Sequence, residues 1–301
     1  MTTSTSRRDF ITNYHATSYD HISPLELDLA GRYVLITGAA WEDGVGFATA
    51  SAFARAGVAG IALVDLHQPD KSHIDKLQTM AREAGKPTPQ VICLKADISN
   101  PYSVEDLHID VVTAFDWRLD ILINNAAHQE PYKNILESDP DVDWQTWQVN
   151  VHGLINMCRT FIPLLLSTAD NIDNPLCTVI NVSSSGALSA RPGSANYRSS
   201  KLAILRWTES LSLDLAPKGL LTYCVNPGAI KTRITINEPE DLRNRLPHKV
   251  EVPGDTITWL ASERREWLAG RYISCPWDMQ ELESRREEIV AGDKLKMRME
   301  F

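Results

Sequence analysis

The sequence predicts an α/β fold in which a parallel, doubly wound sheet carries helices on both faces. Three observations lead there. Short runs rich in β-branched residues recur at 33–37, 61–65, 91–95, 121–124, 178–182 and 221–225. Longer segments with helical patterning separate them, near 46–57, 71–85, 101–115, 143–166 and 196–216. The short runs are almost continuously apolar rather than alternating, which marks strands covered on both sides. Right-handed crossovers then wind the sheet both ways, and ligands gather beyond the carboxyl ends of its strands.

Composition supports a globular chain. Of 301 residues, 43% are apolar and 23% charged, enough to fill a sizeable core. The net charge of −9 offers no basic face to a nucleic acid, so none is expected as a partner. Cys93, Cys158, Cys177, Cys224 and Cys275 show no short pairing, and the eight histidines no ligand spacing. Reduced thiols, no metal and a cytoplasmic setting are therefore expected. The longest apolar run, 151–166, is short for a membrane span and contains Arg159, so no membrane partner is expected.

The first 30 residues are polar and aperiodic, and read as a tail that packs loosely on the body. Arg7 and Arg8 imitate a twin-arginine export signal, but Asn13, His15, Tyr19 and Asp20 follow where an apolar run would be needed. The first strand ends in Thr37 and Gly38. A turn through Gly44, Val45 and Gly46 then opens the first helix. Glycines at such a turn let backbone approach a diphosphate, and the helix N-terminus adds N–H donors and partial positive charge. Nineteen positions beyond Gly46, Asp65 closes the second strand. Its carboxylate suits the two hydroxyls of an adenosine ribose and repels a 2′-phosphate. NAD is thus expected before NADP, with NADP still possible.

Together these residues resemble the short-chain dehydrogenase/reductase family, whose first turn reads Thr-Gly-x-x-x-Gly-x-Gly. Thr37, Gly38, Gly44 and Gly46 match it, with two extra residues within positions 39–43. Trp41, in that insertion, either packs on its neighbours or lies over a ligand. The resemblance spans roughly 32–273. It implies a Rossmann-like sheet of about seven strands and a homodimer or homotetramer. It also implies a division into an N-terminal tail (1–30), a dinucleotide-binding catalytic domain (31–273) and a C-terminal extension (274–301).

Further along, the resemblance assigns Asp97 and the backbone of Ile98 to the adenine. Asn124, in Asn124-Asn125-Ala126-Ala127, would stitch strand ends and border the cofactor. The loop 128–143 is long enough to suggest a role beside the substrate. Asn150 matches the family asparagine that holds a water leading to the active lysine. Residues 167–175 read as a polar surface spacer.

Tyr197 and Lys201 lie four apart, on one helical face. An ordinary amphipathic helix has the same spacing. A neighbouring ammonium favours the ionised phenol and would lower its pKa from about 10. Ser184 stands thirteen positions before the tyrosine, the offset of the family serine. The resemblance then implies that Tyr197 exchanges a proton with the substrate oxygen, and that Ser184 hydrogen-bonds that oxygen. Lys201 tunes the phenol and holds the nicotinamide ribose. Pro227, Gly228 and Thr232 match the family's Pro-Gly-x-x-x-Thr, with backbone near Ile230 meeting the nicotinamide amide. Residues 233–250 resemble its substrate lid.

The ending departs from the family's acidic, double-glycine close. A charged helix is predicted near 280–290, and the ending resembles that of members from filamentous fungi, many acting in specialised metabolism. The activity implied is NAD(P)-dependent interconversion of a secondary alcohol and a ketone on a small, largely apolar molecule. A redox-neutral isomerase, cyclase or dehydratase on this scaffold is an alternative. So is a dinucleotide sensor, for which a tuned phenol has no use.

Overall fold

The structure is a computed structural model that describes residues 10–299. The arginine pair at 7 and 8 lies outside the described residues. Seven parallel strands form one sheet in the order β3-β2-β1-β4-β5-β6-β7. They are β1 (Tyr33–Thr37), β2 (Gly60–Asp65), β3 (Gln90–Lys95), β4 (Ile121–Asn124), β5 (Thr178–Val182), β6 (Leu221–Asn226) and β7 (Tyr272–Ser274). Every residue of β4, β5 and β6 is buried, as continuous apolar runs require. Strand order reverses beside β1, which pairs with β2 on one side and β4 on the other. A crevice opens at such a reversal, beyond Thr37, Asp65 and Asn124.

The helices are α1 (Val45–Arg55), α2 (Ser72–Glu83), α3 (Pro101–Ala114), α4 (Pro140–Trp147), α5 (Leu154–Asp170), α6 (Ala195–Leu215), α7 (Glu240–Arg243), α8 (Glu251–Ala261), α9 (Met279–Ser284) and α10 (Arg286–Ala291). α8 lies directly on α1. A Cβ at Gly254 would stand 2.7 Å from the Ala48 carbonyl oxygen, so only glycine allows that approach.

The single helix expected over 143–166 is three pieces. Asp139 caps α4 through its carboxylate, which accepts from the amides of Asp141 and Val142, and Pro140 fills the first turn. A π-helical turn, Gln148–Gly153, then joins α4 to α5. The continuous stretch Pro140–Asp170 is long and apolar enough to cross a membrane by composition. Its apolar side is nevertheless core, with Met157, Phe161 and Leu165 buried. α5 also takes up 167–170, the start of the expected spacer.

Residues 10–30 are not loosely packed. Ile11 and Ile22 are fully buried and Leu29 nearly so, joined to the main core. The segment is laced to the C-terminal extension. The Glu281 carboxylate accepts from the amides of Thr12 (2.8 Å) and Asn13 (3.0 Å). Tyr14 bridges Trp277 in an antiparallel pair, and the Asp278 amide donates to the Asn13 carbonyl. Sparse apolar residues without period gave no sign of this, because their partners lie some 260 positions away. The charged helix expected at 280–290 is α9 and α10, broken at Arg285, with Met279, Leu282 and Ile289 buried beneath.

Candidate active site

The first turn is built to be thin. Gly38 has φ +70°, and a Cβ there would stand 2.7 Å from the Ala126 Cα. A Cβ on Gly46 would stand 2.3 Å from the Gly38 carbonyl oxygen. The Thr37 hydroxyl accepts from the amides of Asn125 and Ala126, each at 3.0 Å. Gly44 is the N-cap of α1, Val45 its first residue, and no side chain caps this end. Gly44 and Val45 line the crevice, and a helix start left uncapped by side chains is what an anion site requires.

Asp65 is shared. One carboxylate oxygen accepts from the Ala40 amide at 3.1 Å and the other from the His67 amide at 3.0 Å. It pins the inserted loop while still lining the crevice. Trp41, from that loop, packs on its neighbours at the edge of the crevice. Its ring lines the crevice and packs edge-on to His67, with the Arg233 guanidinium 3.4 Å from its centroid. Asp97 also lines the crevice, with one oxygen held by the Ser99 amide and hydroxyl. Ile98 lies beside it, packed where a Cβ on Gly153 would intrude.

Asn124 corrects the sequence reading in part. It does tie strand ends, donating to the Asn181 carboxamide oxygen at 2.8 Å, but it is buried and turned from the crevice. Asn125 borders the crevice instead. Its side-chain Nδ2 donates to the carbonyls of Thr37 (2.9 Å) and Gly38 (3.0 Å).

Two cavities meet at Tyr197. One, about 430 Å³, runs along Gly38, Asp65, Asp97 and Lys201. The other, about 1120 Å³, holds Ser184, Pro227, Gly228 and Ile230. Tyr197, Val45, Pro227 and Thr232 line both. The Ser184 hydroxyl hydrogen-bonds the phenol and accepts from the Gly186 amide at 3.0 Å. The buried Lys201 ammonium donates to the Val182 carbonyl at 2.8 Å, 5.8 Å from the phenol ring centroid.

Charge tuning differs from the expectation. Burial pushes the Tyr197 phenol up to about 12. The Ser184 hydrogen bond and the Arg198 charge work against that, while Glu238 and Glu130 reinforce it. Burial also pulls Lys201 down to about 8. Burial is thus the largest influence on the phenol, and it acts opposite to the lowering that the Tyr197–Lys201 spacing suggested.

Asn150 sits in the π-helical turn and holds its surroundings by side-chain bonds. It accepts from the His128 amide at 2.8 Å and donates to the His128 carbonyl (2.9 Å) and the Ser200 hydroxyl (3.0 Å). Ser200 in turn donates to the Tyr197 carbonyl at 2.8 Å. Glu130, unsuspected from sequence, closes the ring. Its buried carboxylate accepts from the Tyr197 amide and from the Thr146 hydroxyl, each at 2.9 Å, and that hydroxyl meets His128 Nδ1. A carboxylate from the 128–143 loop thus caps the helix that carries Tyr197.

Gly228 takes φ +104°, and Ile230 pairs with His248 as an isolated bridge. Thr232 forms a capping box with Thr235 at the start of the segment 233–250. Asn237 ties the segment 233–250 to loop 128–143 by donating to the Gln129 carbonyl at 3.1 Å.

A family model described as short chain dehydrogenase matches residues 32–243. The chain belongs to the short-chain dehydrogenase family. Its relatives include "Short chain dehydrogenase citE" of Monascus ruber, 40% identical over 96% of both chains. Another is "Short chain dehydrogenase andI" of Emericella variicolor, 34% identical over 97% of both. Among solved structures, the 3-ketoacyl-(acyl-carrier-protein) reductase of Brucella melitensis, complexed with NADH, superposes with TM-score 0.69 at 27% identity. That match covers 82% of this chain and 97% of the reductase. This short-chain dehydrogenase is therefore an oxidoreductase by family; α8, β7 and the strap formed by 10–30 with the C-terminal extension lie outside the span of the family model.

Proposed function

We propose that this enzyme interconverts a secondary alcohol and its ketone on a bulky, largely apolar small molecule, using NAD. One observation carries this: the Tyr197 phenol stands on the wall common to both cavities, with Ser184 at its side. The smaller cavity fits a dinucleotide, since Cβ atoms at Gly38 or Gly46 would fill its cradle and the α1 N-terminus is uncapped. Val45 and Gly46 would meet the diphosphate, Asp65 the adenosine ribose, and Asp97 and Ile98 the adenine. Lys201 would hold the other ribose, and backbone from Pro227 to Thr232 the nicotinamide amide. When bound, the dinucleotide supplies or accepts hydride.

The protein's own groups handle the proton. Tyr197 gives it to the forming alkoxide, or takes it from the alcohol. Ser184 donates a hydrogen bond to the same oxygen, stabilising the charge as it develops. Asn150 keeps the π-helical turn and Tyr197's helix in register. The proton-supplying water of related enzymes would lie beside that turn. NAD is favoured over NADP because the Asp65 charge opposes a 2′-phosphate. The complex of the Brucella reductase with NADH supports the same choice. A cytoplasmic homodimer or homotetramer is part of the proposal, as is a role in specialised metabolism. The buried free thiols at Cys158, Cys177, Cys224 and Cys275 suit a reducing compartment.

The test is a screen of ketones and secondary alcohols with NADH and NAD, with product identification. One dinucleotide consumed per product is expected; product without net consumption would favour an isomerase or dehydratase. Tyr197→Phe should retain NADH binding, read by fluorescence, and lose about 10²-fold or more in kcat. Unchanged kcat in that variant would overturn the assignment.

A further inference from the structure

The chain carries a net charge of −9, yet the larger cavity is positive. Arg191, Arg198 and Arg245 stand on its wall against one carboxylate, Glu238. His248 adds no charge to this balance: its Nδ1 accepts from the Ala229 amide at 2.9 Å, and burial lowers its pKa. Among the described residues, the side chains of Arg191 and Arg245 have neither hydrogen-bond nor ion-pair partners. Arg198 is half-buried next to Tyr197. It donates to the Ser189 hydroxyl at 2.9 Å and to the Tyr132 hydroxyl, and its Nε is buried without a partner. Its hydrogen-bond partners are thus uncharged. Much of the remaining wall is apolar, with Leu188, Ile234, Leu242, Leu246 and Trp277.

We infer that this cavity takes a small molecule with a bulky apolar body and an anionic oxygen group, a carboxylate or an acidic phenol. The arginine wall meets the anion while the reacting oxygen lies at Tyr197. The inference rests on the proposed oxidoreductase only in taking this cavity as the substrate's. Arginine suits the task because its planar fork pairs with two oxygens at once and stays charged at any working pH. Arg191 and Arg245 are exposed and Arg198 half-buried, and three like charges on one wall raise the local concentration of anions over that beside the acidic surface. Apolar contact holds the body, and the charge fixes which end faces inward.

A pair of dyes tests this with no substrate in hand. The sulfonate 1-anilinonaphthalene-8-sulfonate and its uncharged counterpart N-phenyl-1-naphthylamine are titrated by fluorescence in saturating NADH, which keeps them off the dinucleotide cleft. Arg191→Gln/Arg245→Gln should weaken the sulfonate dye about tenfold, the scale of a lost charged hydrogen bond, and leave the neutral dye within about twofold. Added salt should weaken the sulfonate dye in the wild type more than in the double variant. Equal loss of both dyes, or no loss of either, overturns the inference. NADH binding is read separately; its absence would strike the oxidoreductase proposal while the charge preference was still measured.

Discussion

Tyr197 is held at both its backbone N–H and its backbone C=O, and this is where single residues decide most. Its amide donates to Glu130 and its carbonyl accepts from Ser200. Glu130→Ala removes a helix cap, at about 0.5–2 kcal/mol of stability, and uncouples loop 128–143 from the phenol. Glu130→Gln keeps an acceptor and removes the charge. Glu130 is one of the groups that raise the phenol, so its neutralisation lowers that pKa. Alcohol oxidation needs the phenolate, so the alkaline rise of kcat should move to lower pH in Glu130→Gln. A pH profile that does not move would show that the carboxylate acts on structure alone. At Asp65, replacement by Ala should narrow the preference for NADH over NADPH in KM. A wild type that already prefers NADPH would contradict the reading of Asp65.

At the scale of elements, the site depends on close backbone approach. Gly46→Ala would place a methyl 2.3 Å from the Gly38 carbonyl, so α1 must withdraw from the turn. The expected result is loss of dinucleotide binding by titration, with near-native far-UV circular dichroism. Gly254→Ala sets a methyl 2.7 Å from the Ala48 carbonyl where α8 crosses α1. It should cost about 1–3 kcal/mol by denaturant unfolding, the range of overpacking, without moving a site residue. The strands were legible because buried parallel strands leave a continuous apolar signature. β1, β4 and β5 have the predicted bounds, and β2, β3 and β6 gain one residue each. The π-helical turn at Asn150 was not legible. An i→i+5 turn differs from an α-turn in hydrogen-bond partner, not in composition.

Across the described molecule, residues 10–30 and the C-terminal extension close on each other and form part of the larger cavity's wall. Tyr14 and Trp277 line it together, with the indole N–H donating to the Tyr14 hydroxyl at 3.0 Å. Ile22→Ala should cost about 2–5 kcal/mol, the range for a fully buried aliphatic side chain, and lower Tm. Glu281→Ala leaves the amides of Thr12 and Asn13 without their acceptor. It should loosen the strap and raise the KM of a ketone more than that of NADH. An equal rise in both would show that the strap supports the whole fold rather than that wall.

The sequence by itself determined the order of strands and helices, the glycine turn and the spacing that joins Ser184, Tyr197 and Lys201. Each is a local pattern, set by side-chain period or by backbone freedom within a few residues. Only the tertiary structure decided that Asn125 rather than Asn124 borders the crevice, and that Glu130 caps the helix that carries Tyr197. It likewise decided that burial is the largest influence on the phenol, and that residues 10–30 pack against the C-terminal extension. These outcomes depend on which groups meet across long stretches of chain and how much water they lose on meeting, and neither quantity is written in local spacing.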